Sequence, residues 1–600
     1  MTPYLPAWLE AIDRAVLWCL APLAIAMLVS GLDDLIVDIV WAGGWIRDRL
    51  FPRARVFPPG TRQVESAPRR KIAILVPLWQ EHEVIGRMLE HNLAAIRYRE
   101  YHFFAGAYPN DGPTQQAVRA IADRFANVHL ALCPHPGPTS KADCLNWIYQ
   151  HIALYEERTG EHFDLVVTHD AEDLIHPEEL NWMNFYSARF DFLQTPVLAL
   201  GTPITALTHG VYCDEFAEYH TRDMTVRPRM GGFVPSSGVG TCYRREALEK
   251  LAGPASNRIF EPEALTEDYE NGLRLFRLGC SQGFMPIARA DHGTSRNFVA
   301  TREFFPQGWA SALQQRTRWV MGIALQGWER HGWRGNPGEV YWLWRDRKGL
   351  LTTPLSLAAN LVFFYGISTS IWTRATPFAA RLAVLTLALQ VLRLIVRMAC
   401  VRRVYGVWFA LGVPLRAVYA NLLNAAAATQ AVIRYSIARA LGRPLRWVKT
   451  EHAYPSRTAL LAHKRMLGEI LTGSGYLTPS ALSAALESQP AGLRLGEHLV
   501  RTGLLNEQVV YEALSLQQGL PVCQLRARDV AMQARRALPE HVSRMWRVLP
   551  FRVENRGLCV ASPELPTPEM SAALRGFTSL ELRFHLMTPS DYEALKATLV

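Results

Sequence analysis

FDLVVTHDAEDLIHPEEL, Phe163 to Leu180, runs an apolar segment straight into acid. Five carboxylates and two histidines follow the run FDLVV and surround one proline. Working outward, short apolar runs alternate with helical stretches from Lys71 to about Arg330: KIAILVPLW, EHEVIGRMLEHNLAAI, AVRAIADRFANVHLAL, then FDLVVTHD. Strands separated by helices predict right-handed βαβ units and a parallel sheet with helices on both faces. Such sheets bind ligands beyond the carboxyl ends of their strands. The acids lie there: Glu81 after ILVPLWQ, Asp111 in YPNDG, and the DAED cluster after FDLVV.

The whole chain sets further limits. Its 600 residues exceed what one core organises, so about three domains are expected. Lys and Arg total 64 against 54 Asp and Glu, an excess that favours phosphates, nucleotides or an anionic membrane face as partners. Nucleic acid is not expected. Nine cysteines without CxxC or metal-like spacing read as reduced, mostly buried thiols of a cytoplasmic compartment, excluding a disulfide framework and a zinc site.

Long apolar runs predict a lipid bilayer as a partner. Ala15 to Leu32 carries no charge, about the minimum that spans a hydrocarbon core. It reads poorly as a cleaved signal, because the first basic residue ahead of it is Arg14 and no small-residue cleavage site precedes Asp33 and Asp34. The arginines that follow, Arg47 to Arg70, put the middle of the protein in the cytoplasm by the positive-inside rule. Gly349 to Trp372 then leaves the cytoplasm and Leu382 to about Val401 returns, with Arg393 and Arg397 snorkelling to the inner interface. The next apolar stretch, Gly406 to Ile433, is basic at both ends and holds Pro414, Arg416, Asn421 and Asn424, which suits an interfacial piece better than a fourth span.

Three further groups join DAED. Asp170, with Glu172 or Asp173, can present carboxylate oxygens to one hard cation, Mg2+ or Mn2+, that keeps positions for substrate phosphate. TEDYENGLRLFRLG places Thr266, Glu267 and Asp268 before an amphipathic helix. QQRTRW brings an amide, a guanidinium and an indole together in Gln315, Arg318 and Trp319; for Trp319, core packing is the plainer reading.

LVPLWQE, the Asp pair, TED and Q-x-x-R-W, in this order and between membrane segments, resemble the processive, membrane-embedded family 2 glycosyltransferases over about residues 71 to 330. The resemblance implies a GT-A fold, a cytoplasmic nucleotide-sugar donor, a growing glycan as acceptor and inversion at the anomeric carbon. Glu81 and Asp111 match its nucleotide-binding acids, and Lys141 and Asn146 in SKADCLNW its donor-site Lys and Asn. Asp170 and the acid after it match the D-x-D metal site. Asp268 matches the base of TED, Gln315, Arg318 and Trp319 the acceptor and pyrophosphate platform, and Pro235 to Leu248 the acceptor-side loop. The family motif usually reads D-A-D; here it is D-A-E-D, leaving Glu172 and Asp173 as alternative second ligands. His169 and His176 read as ordinary loop residues, since a hard cation prefers oxygen.

Near the C-terminus, MLGEILTGSGYLTPSALSAALESQ, from Met466, and RLGEHLVRTGLLNEQVVYEALSLQ, from Arg494, align with a shift of 28 residues. Each copy reads as helix, glycine turn and helix; the rest alternates strands and helices, a small α/β lobe. Residues 460 to 600 resemble the MshEN domain of secretion and pilus ATPases, whose tandem copies bind cyclic di-GMP. That implies ligand contacts from Leu467 and Gly468 in the first copy and from Arg494, Leu495, Gly496, Leu499, Gly503 and Gln517 in the second. Met466 stands where the first copy should have Arg, with Arg465 one place earlier.

The expected organisation is a membrane segment in 1–50, a GT-A domain in 51–345 inserted between transmembrane helices, membrane and interfacial helices in 346–435, a linker in 436–459 and MshEN in 460–600. The pairing resembles a family of multi-pass bacterial inner-membrane proteins in which phages exploit an exported polysaccharide through an outer-membrane partner, with the catalytic and C-terminal domains cytoplasmic. An ATPase is excluded by the lack of G-x-x-x-x-G-K-[ST]. A non-catalytic receptor or scaffold is the alternative.

Overall fold

The computed structural model describes residues 7–51, 63–64, 66–256, 258–285, 298–442, 467–473, 476–490, 492–518, 520–554, 557–578 and 580–599. The chain divides into two compact units, the larger ending at Tyr454 and the smaller beginning at Pro455.

In the larger unit, seven strands form one sheet in the order β3-β2-β1-β4-β7-β5-β8. These are β1 (Ile72–Pro77), β2 (Tyr101–Ala107), β3 (Val128–Leu132), β4 (Leu165–Thr168), β5 (Phe192–Gln194), β7 (Thr241–Arg244) and β8 (Gln282–Phe284). Two short strands, β6 (Val197–Ala199) and β9 (Thr301–Glu303), pair separately. Period-two alternation in KIAILVP makes the sheet two-faced. Ile72, Ile74 and Val76 pack with Ile85, Met88 and Val118 of the helices Ile85–Ala95 and Gly112–Ala122. Ala73 and Leu75 face the other layer, with Ile148 and Ile152 of the helix Lys141–Thr159. All are essentially inaccessible, and a fully buried Ile or Leu contributes about 1.5–3 kcal/mol.

The expectation of a parallel sheet holds for β1 to β4 and for the β5–β8 pair, and fails at β7. β7 runs antiparallel to both β4 and β5. The chain reaches β7 from the carboxyl end of β4, where Gly240 N donates to Thr168 O, so it can only run back along β4.

Among the described residues, three helices are long and apolar enough to cross a membrane: Trp8–Leu50, Gly349–Thr369 and Pro377–Tyr405. The first does not stop at the end of its uncharged run; the helix Ala7–Leu50 extends past Leu32. Its acids are paired there: Asp33 with Arg345 and Lys348, Asp34 with Arg345, Asp38 with Arg222. Trp41 donates from its indole to Thr221 O at 3.1 Å. At the other end Asp13 accepts from Tyr365 and Arg374. The fourth apolar stretch folds mainly as the helix Val413–Ala440, which is not among the three. It is pinned near both ends to the larger unit, by a bidentate Arg416–Asp214 pair at 2.7 and 2.8 Å and by Arg439 against Glu329.

In the smaller unit the repeat is visible in the backbone. The helices Leu467–Gly473 and Pro479–Ser488 recur 28 residues later as Leu495–Arg501, and a helix beginning at Glu507. The packing repeats with it. A Cβ on Gly468 would lie 2.9 Å from Leu482, and one on Gly496 2.8 Å from Val510, its counterpart. Leu471 and Leu499 are fully buried in one shared core. The lobe that follows is a sheet of β10 (Leu549–Glu554), β11 (Gly557–Ser562) and β12 (Glu581–Leu586) under short helices.

Candidate active site

The carboxyl ends of β1 and β4 and the start of the helix Lys141–Thr159 enclose a pocket lined by Trp79, Glu81, Tyr108, Lys141, Asp170 and Glu172. Ser140 caps that helix by accepting from Asp143 N at 3.2 Å, which places Lys141 at the helix's positive end. A cation there needs acid nearby. Asp170 supplies it: its oxygens lie 2.6 and 2.7 Å from Lys141 Nζ. Burial alone would lower the Lys141 pKa, but Asp170, Glu267 and Asp268 together hold it above the usual lysine value.

TED reaches the same place. Glu267 and Asp268 open the helix Glu267–Arg277. Burial raises both acids, Glu267 to about 7 with added repulsion from Asp268, while Lys141 and Arg318 pull Asp268 back down. Gly238, at φ +82°, is wedged against them; a Cβ there would lie 2.6 Å from Asp268 Oδ2 and 3.5 Å from Lys141 Nζ. Gln194 fixes that loop, accepting from Ser237 N and donating to Val239 O, each at 2.9 Å.

Arg318 donates to Leu265 O at 3.2 Å, one residue ahead of Thr266. Its helix, Trp309–Val320, widens into a π turn, Met321–Gln326. Gly322 in that turn presses on Thr266, to which a Cβ would come within 2.5 Å of Oγ1. Gln326 clamps the approach to TED, accepting from Leu265 N and donating to Glu263 O. Gln315 is buried with its Oε1 lacking a hydrogen bond. Trp319 stands in an aromatic cluster, 6.1 Å from Tyr212 and Phe216 and 6.4 Å from Phe305.

Not every expected residue enters the pocket. Asn146 is occupied elsewhere: its amide donates to Phe260 O and accepts from Ile259 N and Phe260 N. Asp111 is outside the lining, its carboxylate accepting from Gln80 N at 2.6 Å, and Gln80 holds a left-handed φ of 55°. Glu172 lines the pocket, whereas Asp173 is fully buried and turned inward, accepting from His169 Nδ1 and Asp170 N, both at 2.9 Å.

His169 is therefore no ordinary loop residue. It is inaccessible, with Nε2 3.4 Å from Glu179 Oε1, and Glu179 also accepts from Thr301 Oγ1 at 3.0 Å. Burial would strip the imidazolium of its proton, but Asp173 and Glu179 hold it and push its pKa up to about 9. The i,i+4 spacing of His169 and Asp173 was the only sequence signal for this clamp. Glu303 had none: it comes in from β9, and burial, then Asp173, Glu172 and Asp170, raise its pKa well above the carboxylate range.

For a divalent cation the donor set is two oxygen-bearing side chains, Asp170 and Glu172, on one pocket wall. Among the described residues no three His, Cys, Asp or Glu converge as a closed cage. One or two carboxylates with the other positions left to phosphate is how Mg2+ or Mn2+ is commonly held, so the residues fit.

In the smaller unit, Arg494 precedes the helix Leu495–Arg501 and is exposed, 3.8 Å from Glu564. Gly496 and Leu499 face the repeat's own core, and Gly503 makes the turn at φ +71°. Leu467, Gly468 and Leu495 belong to the same packing. Arg465 lies outside the described residues, as does the side chain of Gln517.

Residues 68–322 match the family model described as glycosyltransferase like family 2, and residues 518–595 match the MshEN domain. The fold and this acid-lined pocket thus define a protein built on a family 2 glycosyltransferase-like domain, with a GT-A-like sheet and a C-terminal MshEN domain. Bacteriophage adsorption protein B of Escherichia coli K12 is 34% identical over 587 residues, covering 94% of this chain and 79% of that protein. The chain belongs to the bacteriophage adsorption protein B family. With its three apolar helices, that kinship marks a membrane protein. Among solved structures, a mannosyltransferase from Pyrobaculum calidifontis in complex with GDP-Man and Mn2+ is 17% identical, with a TM-score of 0.39 over 66% of this chain and 98% of its own. MshE with cdg is 24% identical, with a TM-score of 0.20 over 23% of this chain and 99% of its own.

Proposed function

We propose that the chain transfers a hexosyl group, with inversion, from a UDP-hexose or UDP-N-acetylhexosamine onto a growing exopolysaccharide at the bacterial inner membrane. The observation that carries this reading is the convergence of Lys141, Asp170, Glu267, Asp268 and Arg318 around Gly238.

In this reading Trp79 and Tyr108, edge to face at 5.4 Å, wall the nucleotide with Glu81 and Asp111 beside it. Lys141 and the helix N-terminus behind it meet the diphosphate. A cation held by Asp170 and Glu172 would neutralise the leaving diphosphate. Asp268 takes the proton of the attacking hydroxyl, and its raised pKa suits a base working near neutral pH. Glu267 keeps that carboxylate in place, Arg318 faces both acids, and Gln315 with Trp319 borders the acceptor.

The two ionic belts on the first helix support a bilayer position. Asp13 and Asp33 are twenty residues apart, about 30 Å of helix, the thickness of a hydrocarbon core. The first helix then enters the cytoplasm below Asp33, Gly349–Thr369 leaves it and Pro377–Tyr405 returns, keeping the catalytic and MshEN domains inside, with Val413–Ala440 along the interface. Cyclic di-GMP binding at the repeat regulates transfer, and a phage exploits the product through an outer-membrane partner.

A screen of UDP-sugars for nucleotide release by purified protein, with Mg2+ or Mn2+, tests the reading. Release is expected with one donor and is abolished in Asp268→Asn while donor binding survives. No turnover with any donor overturns it in favour of a non-catalytic receptor.

A further inference from the structure

Two segments flank the Asp268 carboxylate: the first turn of the helix Glu267–Arg277 and the loop 233–240 that carries Gly238. They sit directly on each other. A Cβ on Gly272 would lie 2.6 Å from Val234 O and 2.9 Å from Pro235 Cα. Gln282 ties them at the same level, accepting from Val234 N and donating to Gly272 O, each at 2.7 Å. A second tie comes from far along the chain, in the helix Pro337–Arg347 that leads into the apolar helix Gly349–Thr369.

Asp346 on that helix accepts from the Tyr269 hydroxyl at 2.6 Å. Tyr269 in turn donates its backbone N–H to Asp268 Oδ1 at 2.7 Å. The same Asp346 carboxylate takes Nη1 and Nη2 of Arg227, both at 2.8 Å. Arg227 is inaccessible, its guanidinium 4.7 Å from the Phe233 ring and 4.7 Å from the Trp342 ring. Its Nε donates to Phe233 O at 3.0 Å, where the loop begins. One carboxylate thus reaches the base from two sides: through Tyr269 to Asp268 Oδ1, and through Arg227 and Phe233 to the loop whose Gly238 abuts Oδ2. Arg345 and Lys348, on either side of Asp346, hold Asp33 of the first helix.

We propose that Asp346 is a positioning residue for Asp268, registering the base and the Gly238 loop against the helices that enter the membrane. Stability alone is a weak reason for the pair with Arg227, because apolar side chains of similar volume often serve a buried site as well or better. Direction is what the pair adds: a bidentate fork and a short hydroxyl bond fix angles that packing leaves free. Gln282 keeps the two segments together without Asp346, so losing Asp346 displaces them rather than parting them. The consequence for turnover rests on the transferase reading; the positioning itself rests on the geometry.

Tyr269→Phe, Asp346→Asn and the two combined test it in the full-length protein in detergent. Hydrogen exchange read by mass spectrometry needs no donor: peptides covering 233–240 and 264–272 are expected to exchange faster in each variant, while those covering β1 exchange as in wild type. With a UDP-sugar that wild type turns over, kcat is expected to fall about ten- to hundredfold while donor KM changes less than about twofold. The combined loss falls short of the product of the two single losses, since both break one chain of contacts. Burial raises the Asp268 pKa, and Lys141, then the Tyr269 amide, lower it, so loosening that amide moves the acid limb of kcat/KM to higher pH. Partial unfolding would remove active molecules without moving that limb. Should Asp346→Asn fail to fold, Tyr269→Phe alone supplies every readout except the combined loss. Exchange unchanged at both segments, or faster at β1 as well, overturns the positioning, and so does faster exchange there with kcat and the acid limb unchanged. Wild-type protein that turns over no donor overturns the transferase reading instead, and exchange then decides the positioning.

Discussion

Lys141 Nζ bridges both carboxylate oxygens of Asp170, at 2.6 and 2.7 Å, across the mouth of the pocket. The same oxygens are the ones a metal would use. On the proposed function, lysine and metal would compete for Asp170 until a diphosphate gave the ammonium a second partner. Asp170→Ala should abolish metal-dependent donor binding. Lys141→Ala should instead bind Mn2+ without donor more tightly than wild type while losing donor affinity about tenfold or more. Manganese titration with and without donor checks both; unchanged manganese affinity in Lys141→Ala contradicts the competition.

Glu172 and Asp173 should separate cleanly. Glu172→Ala is expected to weaken metal-dependent turnover in a stable protein, because Glu172 lines the pocket. Asp173→Ala should chiefly lower stability, on the order of 3–5 kcal/mol, because it strips a partner from buried His169. Paired activity and thermal-unfolding measurements distinguish the two, and a reversed pattern would make Asp173 the ligand.

His169 gives a pH signature. Its folded pKa, about 9, lies above the ordinary 6.5, so the folded state binds the proton more tightly than the unfolded chain. The stabilisation is complete below about pH 6.5 and is lost as pH rises through 9, up to about 3 kcal/mol. Asp173, raised to about 6, titrates below that window. Unfolding temperature measured from pH 6.5 to 9 should fall more steeply in wild type than in His169→Asn, where the raised Glu267 and Glu303 still contribute a decline of the same sign.

Gly322→Val probes the close approach behind TED. The new side chain must push Thr266 away and shift Glu267 and Asp268 with it, and displacements of about 1 Å at reacting groups cost about a hundredfold in rate. Donor affinity should change little, since Lys141 and Asp170 sit on other elements. Nucleotide release and donor binding measured together decide it; wild-type turnover would show that the loop can yield.

Arg494→Ala should weaken cyclic di-GMP binding to the full-length protein about ten- to hundredfold, the value of a charge-assisted phosphate contact. Calorimetry checks this, and undiminished affinity would leave the repeat as a packing module.

Much of this was legible in the sequence for one physical reason: buried strands and acid-ended loops write periodic signals into the residues themselves. KIAILVP alternates because its two faces meet two helical layers. The direction of β7 was not legible, since TCYR reads the same whichever way it runs and only the loop before it decides. Nor was the fate of Asn146, whose amide serves a sugar and a peptide backbone equally well. The length of the first helix escaped because Asp33, Asp34 and Asp38 look like a terminus until their partners, more than 180 residues away, are known. His169 looked idle because its second carboxylate lies ten residues on, beyond any local spacing rule.

The π turn at Met321–Gln326 has an evolutionary corollary. Such a turn carries one residue more than an α-helix needs, so removing a single residue there would let the backbone relax into regular helix rather than break it. The deletion would be tolerated as folding and ruinous as alignment. Everything on one side of it would rotate by about 100° against the other, and Arg318 and Gln326, which grip Leu265 from either side of the turn, could no longer face it together. Among related chains, then, a gap at this turn is the mark to look for in one that has kept the scaffold and given up the reaction.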